Sequence, residues 1–432
     1  MDKNIQDLRR YLDHCPTAWH AVSTISEDLI NAGFTALSEK ERWNLEAGKK
    51  YFVTRNGSSI CAFTVPSSKP KRATIVGAHT DSPSLQLKPH SEYREENMVL
   101  LGVEVYGGPI LASWFNRELG IAGRISYANE KGEIQTELVD VREHPIIIPQ
   151  LAIHLDREIN TQGFLPNKQE HLPALACLTS KLGENERYLD KVLSPYLKGR
   201  KLLEKDLLLY PIEGSRLLGY NEELLASYRI DNLASTHSAL RAFLEAEHSS
   251  SDTLNIMISW DNEEVGSSTA QGAASPFLGQ VLERICHALE MDQQDWLCLL
   301  SRSFCISVDM AHALHPNYKK QYEPRHQPLM EGGVTLKVNA QQRYASNALS
   351  SGLIAQLCEE EKLNLQKFVV KSDSPCGSTI GPITATQFGM ATVDIGSPQL
   401  AMHASRELTA CQDHLDMIQL LRAAYNKRPE LH

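Results

Sequence analysis

Three absences narrow what this chain can be. No CxxC pair occurs, and the nine cysteines are scattered singly at Cys15, Cys61, Cys177, Cys286, Cys298, Cys305, Cys358, Cys376 and Cys411. Neither a disulfide framework nor a structural zinc site of that type is supported. No run of about 18 or more apolar residues is present, which excludes a spanning helix. The HExxH, GxSxG and P-loop patterns are also missing, so the common single-zinc protease, α/β-hydrolase and nucleotide-hydrolase chemistries fall away. Basic charge is scarce too: 43 Lys and Arg against 53 Asp and Glu give a formal charge of -10. That balance argues against nucleic acid or an anionic membrane as the main partner. The opening MDKNIQDLRRYLDHC is charged and amphipathic with no apolar h-region, so no signal peptide is expected. The cytoplasm is the expected compartment.

What is present suits a globular protein. At 432 residues, 42% hydrophobic and 22% charged, two domains with sizeable cores are expected. Short apolar runs end in polar clusters: RATIVGAHTD, LNIMISWDNEEVG, FCISVDMAH and ATVDIGSP. Runs of this length fit strands buried on both faces, although periodicity alone does not separate them from buried helix. Helical spacing marks Asn4 to His14, Ala18 to Ala32, Leu233 to Glu247, Phe277 to Glu290 and Asp413 to Asn426. Alternation of the two predicts an α/β layer architecture, whose ligands gather at the carboxyl ends of strands. From about Leu87 to Leu225 the rhythm breaks into Gly-rich turns (YGGP) and a two-periodic stretch, GRISYANEKGEIQTELVDV. That region, 88–225, reads as an inserted β-rich domain between 1–87 and 226–432.

The polar clusters form an ordered set: His79 and Asp81, Asp231, Glu263 and Glu264, Asp309, and His403. Each alone has an ordinary structural reading, as a satisfied polar side chain, a solvated face or a helix cap. Together, at strand ends, they match the needs of a hydrolytic two-metal site. Such a site takes His and carboxylate ligands, a bridging carboxylate and a further carboxylate to accept a proton from water.

These segments resemble the aspartyl aminopeptidase family, within the wider clan of co-catalytic di-zinc exopeptidases. The resemblance runs over nearly the whole chain and includes YGGPILASWFNREL, LAIHLDR, PNKQEHL, LKVNAQQRYAS, SDSPCGSTIGP and VDIGSPQLAMHASRE. It implies an aminopeptidase that acts on peptides with a free N-terminus and holds two zinc ions per subunit, replaceable by Co²⁺ or Mn²⁺. His79, Asp231 and Asp309 would hold one ion and Asp231, Glu264 and His403 the other, with Asp231 bridging. Glu263 would be the general base, and Asp81 would accept a hydrogen bond from His79. The peptide after the bridging aspartate is commonly cis in the clan, so Asp231–Asn232 is expected to be cis.

The implied fold is a mostly parallel central sheet with helices on both faces, plus an inserted β-rich dimerisation domain. Dimers would assemble into a tetrahedral dodecamer, and His154 in LAIHLDR would reach toward a neighbouring subunit's site. The family favours N-terminal Asp or Glu, and Lys337 matches the position that supplies the cation, with Arg343 and Tyr344 nearby. His312, His315 and His326 fall in the family's loop beside the site, as substrate contacts or as structure for that loop.

The chain departs from the family pattern at WFNREL, where Asn116 and Glu118 replace two aspartates, and at Ala404-Ser405 after His403. No implied metal ligand is substituted, which argues against the rival reading of a non-catalytic assembly protein. A di-zinc deacylase or carboxypeptidase lacks support from the long family segments. A cysteine hydrolase built on Cys376 has no partner histidine marked out.

Overall fold

The computed structural model describes residues 2–248 and 252–427. They fall into two units, described separately. The first comprises the described residues of Met1–Asp81, Arg216–Met402 and Glu407–His432. The second comprises Ser82–Ser215 with the short stretch His403–Arg406.

The first unit is built on a nine-stranded sheet. In spatial order its strands are Thr35–Leu37, Lys50–Arg55, Ser59–Thr64, Thr253–Trp260, Arg72–His79, Phe304–Val308, Ala391–Gly396, Val334–Val338 and Leu365–Val369. The four apolar runs singled out in the sequence are the four central strands, and all run parallel to one another. Antiparallel pairings enter on both sides, where Ser59–Thr64 meets Thr253–Trp260 and where Val334–Val338 meets Ala391–Gly396. The sheet is therefore mixed but mostly parallel, with four parallel strands at its centre and a parallel pair at each edge.

Strand alternation sends side chains to two separate cores. Val76, Met257, Ile306 and Val308 join one with Leu240, Phe243, Leu421 and Tyr425. Ile75, Ile256, Ile258 and Cys305 join the other with Phe277, Val281 and Leu299. The helices Lys3–His14, Ala18–Asn31, Ile230–Glu245, Ala348–Glu361 and Cys411–Lys427 cover the first face, while Phe277–Ala288 and Gln293–Arg302 cover the second. The N-terminal helix shows the local logic. Asp2 caps it by accepting the Asn4 N–H at 2.7 Å, and Ile5, Leu8 and Leu12 form its buried stripe. A second, five-stranded sheet of this unit joins Leu224–Ser227 to Glu407–Ala410.

The second unit is β-rich: a six-stranded antiparallel sheet with a covering helix, Tyr188–Leu197. The two-periodic stretch is a hairpin of Leu119–Ala128 and Ile134–Ile146, turned at Asn129, whose side chain accepts the Lys131 and Glu133 N–H groups. The strand Ser84–Glu95 belongs wholly to this sheet, and Leu224–Ser227 belongs to the first unit. The breaks accordingly fall at 81/82 and 215/216, beside 87/88 and 225/226 from the sequence pattern. Composition registers a change of rhythm several residues late because strands of the two units share the same apolar vocabulary. Asn116 takes the left-handed conformation that asparagine tolerates well (φ 58), and its side-chain oxygen accepts the Gln150 N–H at 3.0 Å. The asparagine that replaces a family aspartate is thus engaged by the backbone.

Candidate metal centre

Register brings the polar cluster of the first unit together. Trp260 pairs with His79, and Ser307 pairs with Gly77. Two residues further on, Asp309 stands level with His79. The Asp309 N–H donates to Ile395 O at 3.0 Å, and a Cβ at Gly396 would lie 1.9 Å from the Asp309 carbonyl oxygen. A bare α-carbon at Gly396 is what lets the adjacent strand end approach Asp309.

His79 is 1% exposed. Its Nδ1 lies 3.3 Å from Asp81 Oδ1 and 3.2 Å from the Asp81 carbonyl. Its Nε2 faces Asp231 Oδ1 at 3.5 Å, Asp309 Oδ1 at 3.6 Å and Glu263 Oε2 at 3.9 Å. Burial alone would depress this imidazole. The Asp231, Asp309 and Asp81 carboxylates more than offset it and hold the ring well above its ordinary value.

Asp81 does more than face His79. Its Oδ1 accepts the Glu263 N–H and its Oδ2 the Glu264 N–H, both at 3.1 Å. One buried carboxylate thereby fixes the short turn Glu263–Val265 that presents both glutamates. The turn is entered through Asn262 in the left-handed region (φ 62), whose side-chain oxygen is held by Thr269 Oγ1 at 2.9 Å and Gln271 Nε2 at 2.7 Å. Glu263 is pushed up to about 8, first by burial. His79 works against the shift, while Asp309, Asp81 and Asp231 add to it.

Asp231 sits in a bend at the start of the helix Ile230–Glu245. Asp231 (φ -81, ψ 109) and Asn232 (φ -121, ψ 23) leave helical geometry, and the peptide between them is cis. Three contacts hold the bend. Glu407 Oε2 accepts the Asp231 N–H at 2.9 Å, Asn232 Nδ2 donates to Val308 O at 2.9 Å, and Thr236 Oγ1 donates to His79 O at 2.8 Å. Buried Arg229 precedes it, donating to the carbonyls of Cys15 and Thr80. Glu407, Asn262 and Arg229 were not among the residues singled out from sequence. Only the left-handed tolerance of asparagine at Asn262 left a signal there.

Donor atoms of His79, Asp231 and Asp309 lie within 4.8 Å of one another, as do those of His79, Glu263 and Glu264. Separations of 3.5 and 3.6 Å are too long for hydrogen bonds. They suit two ligands of one tetrahedral cation, whose bonds of about 2.0–2.1 Å set donor atoms roughly 3.3 Å apart. Carboxylates crowded in a buried site also call for positive charge, and a divalent ion there would oppose both the burial and the carboxylate repulsion that raise Glu263. The residues therefore fit zinc. His403 belongs to the stretch His403–Arg406 and is left-handed (φ 68). Its Nδ1 lies 3.1 Å from the Gly108 carbonyl, which can only accept, so Nδ1 carries the proton and a lone pair is left on Nε2.

Lys337 is 3% exposed, donates to Asp309 Oδ2 at 3.1 Å, and stands 5.6 Å from the centre of the buried Tyr344 ring. Arg343 is exposed on the same loop. His312 is exposed and packs edge-on to Phe368, His315 packs against Tyr318, and His326 pairs with Glu323 at 2.5 Å. Among the described residues none of these three histidines joins a converging group of metal donors. His154 is exposed in a turn of the second unit.

A profile of the family described as Aminopeptidase I zinc metalloprotease (M18) matches residues 11–425. The chain is similar to the "Probable M18 family aminopeptidase 2" of Stutzerimonas stutzeri (strain A1501), 42% identical over 432 residues and covering 98% of each chain. It is also similar to the protein of that name from Clostridium novyi (strain NT), 41% identical over 431 residues, covering 98% of this chain and 99% of the other. Among solved structures it resembles a chain in the "Cryo-EM structure of the Ape4 and Nbr1 complex" (TM-score 0.93, 37% identity, 98% of this chain and 85% of that one). It resembles likewise the "Structure of S. cerevesiae mApe1 dodecamer" (TM-score 0.84, 27% identity, 97% and 95%).

Proposed function

The chain belongs to the M18 family of aminopeptidase I zinc metalloproteases and is a zinc aminopeptidase, and from that premise we propose a two-zinc mechanism with preference for N-terminal Asp or Glu. His79, Asp231 and Asp309 would hold one ion, and by the family resemblance Asp231, Glu264 and His403 would hold the other. Zinc supplies Lewis acidity toward the peptide carbonyl and lowers the pKa of water, a role Co²⁺ or Mn²⁺ could also fill. The observation that carries this reading is the placement of His79 Nε2 at 3.5 and 3.6 Å from two carboxylate oxygens.

Glu263 is the group we assign to proton transfer. It faces the same space as His79 Nε2 at 3.9 Å, without the short contacts of a structural ion pair. It would take the proton from the attacking water and return it to the leaving amine. Asp81 fixes the direction of both His79 and the Glu263 backbone. Lys337 would pair with an acidic side chain of the substrate. An ammonium has three donors, and one goes to Asp309. A buried cation discriminates strongly, because a neutral substrate leaves it uncompensated.

The Lys337–Asp309 contact also supports a second reading, in which Lys337 only steadies Asp309 and the enzyme accepts neutral N-terminal residues. A panel of aminoacyl chromogenic substrates separates the two. Wild type and Glu263→Gln would each be assayed with metal removed and restored. Turnover of Asp and Glu derivatives, abolished by either change, supports the first reading. Preference for neutral residues removes the acidic pocket. No cleavage by metal-loaded protein sinks the mechanism.

We further propose self-assembly through the second unit, up to a dodecamer such as the one named for the S. cerevisiae relative. Exposed Leu151, Ile153, Leu155 and Leu165 around His154 support it, and so does the resemblance for His154 as a group lent to a neighbouring subunit. Light scattering gives the mass. Mixing His154→Ala with Glu263→Gln protein should then restore activity if His154 acts across subunits. No described helix is long and apolar enough to cross a membrane. The free state of all nine cysteines supports the cytoplasm as the working compartment.

A further inference from the structure

Asp394 lies within the strand Ala391–Gly396 and is 0% exposed. A carboxylate so placed is costly unless its oxygens are satisfied. Thr379 Oγ1 donates to Oδ1 and the Ala345 N–H donates to Oδ2, both at 2.6 Å. The two donors come from different loops. Ala345 follows Tyr344 in the loop after the Lys337 strand, and Thr379 closes the segment that carries Cys376. Ser378 Oγ ties the loops to each other through Arg343 O at 3.2 Å, and the Tyr344 hydroxyl interacts with the Cys376 thiol.

The same carboxylate is aligned with Lys337. Thr335 pairs with Gly396 and Leu336 with Ile395, so the next rung sets Lys337 opposite Asp394. Residues opposite each other in an antiparallel pair point to the same face. Burial raises the Asp394 pKa, while hydrogen bonding from Ser307, Thr379 and Ala345 and the Lys337 charge restrain it. A Cβ at Gly381 would come within 2.3 Å of Asp394 Oδ2. Glycine there leaves room for the carboxylate beside the helix Ile380–Phe388.

We propose that Asp394 is a positioning residue for substrate recognition, one that locks the Tyr344 and Cys376 loops around the Lys337 ammonium. It touches neither the reacting atoms nor the ions. It acts through Ala345 and Thr379 on the two walls of the space into which Lys337 projects. This deepens the reading above and rests on Lys337 facing the substrate.

A control lies beside the start of the Lys337 strand, in the helix Cys411–Lys427. Asp413, also buried, accepts the Glu331 and Gly333 N–H groups at 2.8 and 2.9 Å, just ahead of Val334–Val338. It is a carboxylate of similar setting at the far end of the Lys337 strand, away from the two loops. Full-length, zinc-loaded Asp394→Asn, Thr379→Val and Asp413→Asn would be compared with wild type on whichever aminoacyl substrate wild type cleaves best. Cys376 alkylation would be followed by peptide mapping.

For Asp394→Asn we expect KM to rise about tenfold with kcat within about threefold, the pattern of lost binding without lost chemistry. Zinc content should be unchanged and Cys376 should alkylate several-fold faster. Thr379→Val should show the same changes, smaller, and stands in if Asp394→Asn does not fold. Asp413→Asn should lower stability and leave KM alone. Wild-type KM and wild-type Cys376 labelling in the folded Asp394 and Thr379 variants would overturn the proposal, as would an equal KM rise in Asp413→Asn. Absence of acidic preference in wild type would instead strike the Lys337 assignment. The Asp394 comparison stays readable in that case, because it uses the best substrate and a labelling rate independent of turnover.

Discussion

Asp81 and Glu263 are joined through the backbone: the Asp81 carboxylate accepts the Glu263 N–H at 3.1 Å while the same oxygen stands 3.3 Å from His79 Nδ1. A single side chain thus sets the direction of the histidine and the height of the glutamate. Asp81→Asn keeps the shape but turns an NH2 toward one of two N–H groups or toward the ring. Partners of this kind, when lost, typically cost roughly 10–100-fold in metal affinity. Zinc affinity by chelator competition should fall by that order, with activity falling at limiting zinc. Unchanged affinity would mean that the His79 geometry is fixed by the fold alone.

Glu263→Gln separates binding from chemistry. The amide cannot take a proton, and losses for a general base are about 10²- to 10⁴-fold. We expect kcat to drop in that range with bound zinc retained, checked by metal analysis of the purified variant. Loss of zinc together with activity would recast Glu263 as a ligand.

Removing the metal leaves Asp81, Asp231, Glu263 and Asp309 crowded together with only the Lys337 ammonium and the His79 ring to balance them. Chelated protein should melt at a lower temperature, and zinc should restore the melt. Binding at 100 times Kd is worth about 2.7 kcal/mol. A melting temperature indifferent to chelator and zinc would contradict the metal centre.

Gly396→Ala tests the strand-end approach. The added Cβ meets the Asp309 carbonyl at 1.9 Å, so one strand end must move. Overpacking of this kind costs typically about 1–3 kcal/mol, and displacement of Asp309 should lower zinc affinity as well. Urea unfolding and chelator competition measure the two losses, and wild-type values in both would show that the strand ends part freely.

Acid should loosen the first unit through a buried histidine pair. His237 Nδ1 is 3.0 Å from His414 Nε2, His237 Nε2 is 3.0 Å from Asp7 Oδ2, and Ser238 Oγ is 3.2 Å from His414 Nδ1. Arg241 pairs with Asp7 and Asp28, and Arg10 with Asp7. Burial, the largest influence, lowers both imidazole pKa values; Asp7 pulls against it at both rings, while His414 also feels the His237 charge. The unfolded chain therefore takes up protons first, near 6.5. Stability is full above that pH and declines as pH falls below it. Asp7, held below the usual carboxylate range chiefly by its His237 hydrogen bond, adds stability above about 4 that is lost in stronger acid. Urea midpoints at pH 7.5 and 5.5 should fall for wild type and fall less for His414→Gln. The difference can reach about 1.4 kcal/mol per pH unit, and parallel profiles would remove the pair as the source.

Much of the centre was legible because its residues end apolar runs. His79, Glu263 and Asp309 announce themselves as polar residues following buried strands, and parallel pairing then brings their levels together. The supports were not legible. Glu407 reaches the Asp231 N–H from 176 positions away, and Asn232 finds Val308 O only because a helix bends over a strand end. Such pairings depend on register between distant segments, which no local pattern records. The same holds for the unit boundary at Ser82: Ser84–Glu95 has alternation compatible with either sheet until its partner Met98–Tyr106 is known.

Asp309 is shared property. One oxygen looks toward His79 and the other accepts from Lys337, so occupancy at one side alters the electron density offered to the other. On the proposed reading, a carboxylate arriving at Lys337 and a cation arriving at His79 would be coupled ligands. By reciprocity each must change the other's affinity by the same factor. In a cell where free zinc is scarce, such a link would let an acidic peptide help retain the metal that cuts it.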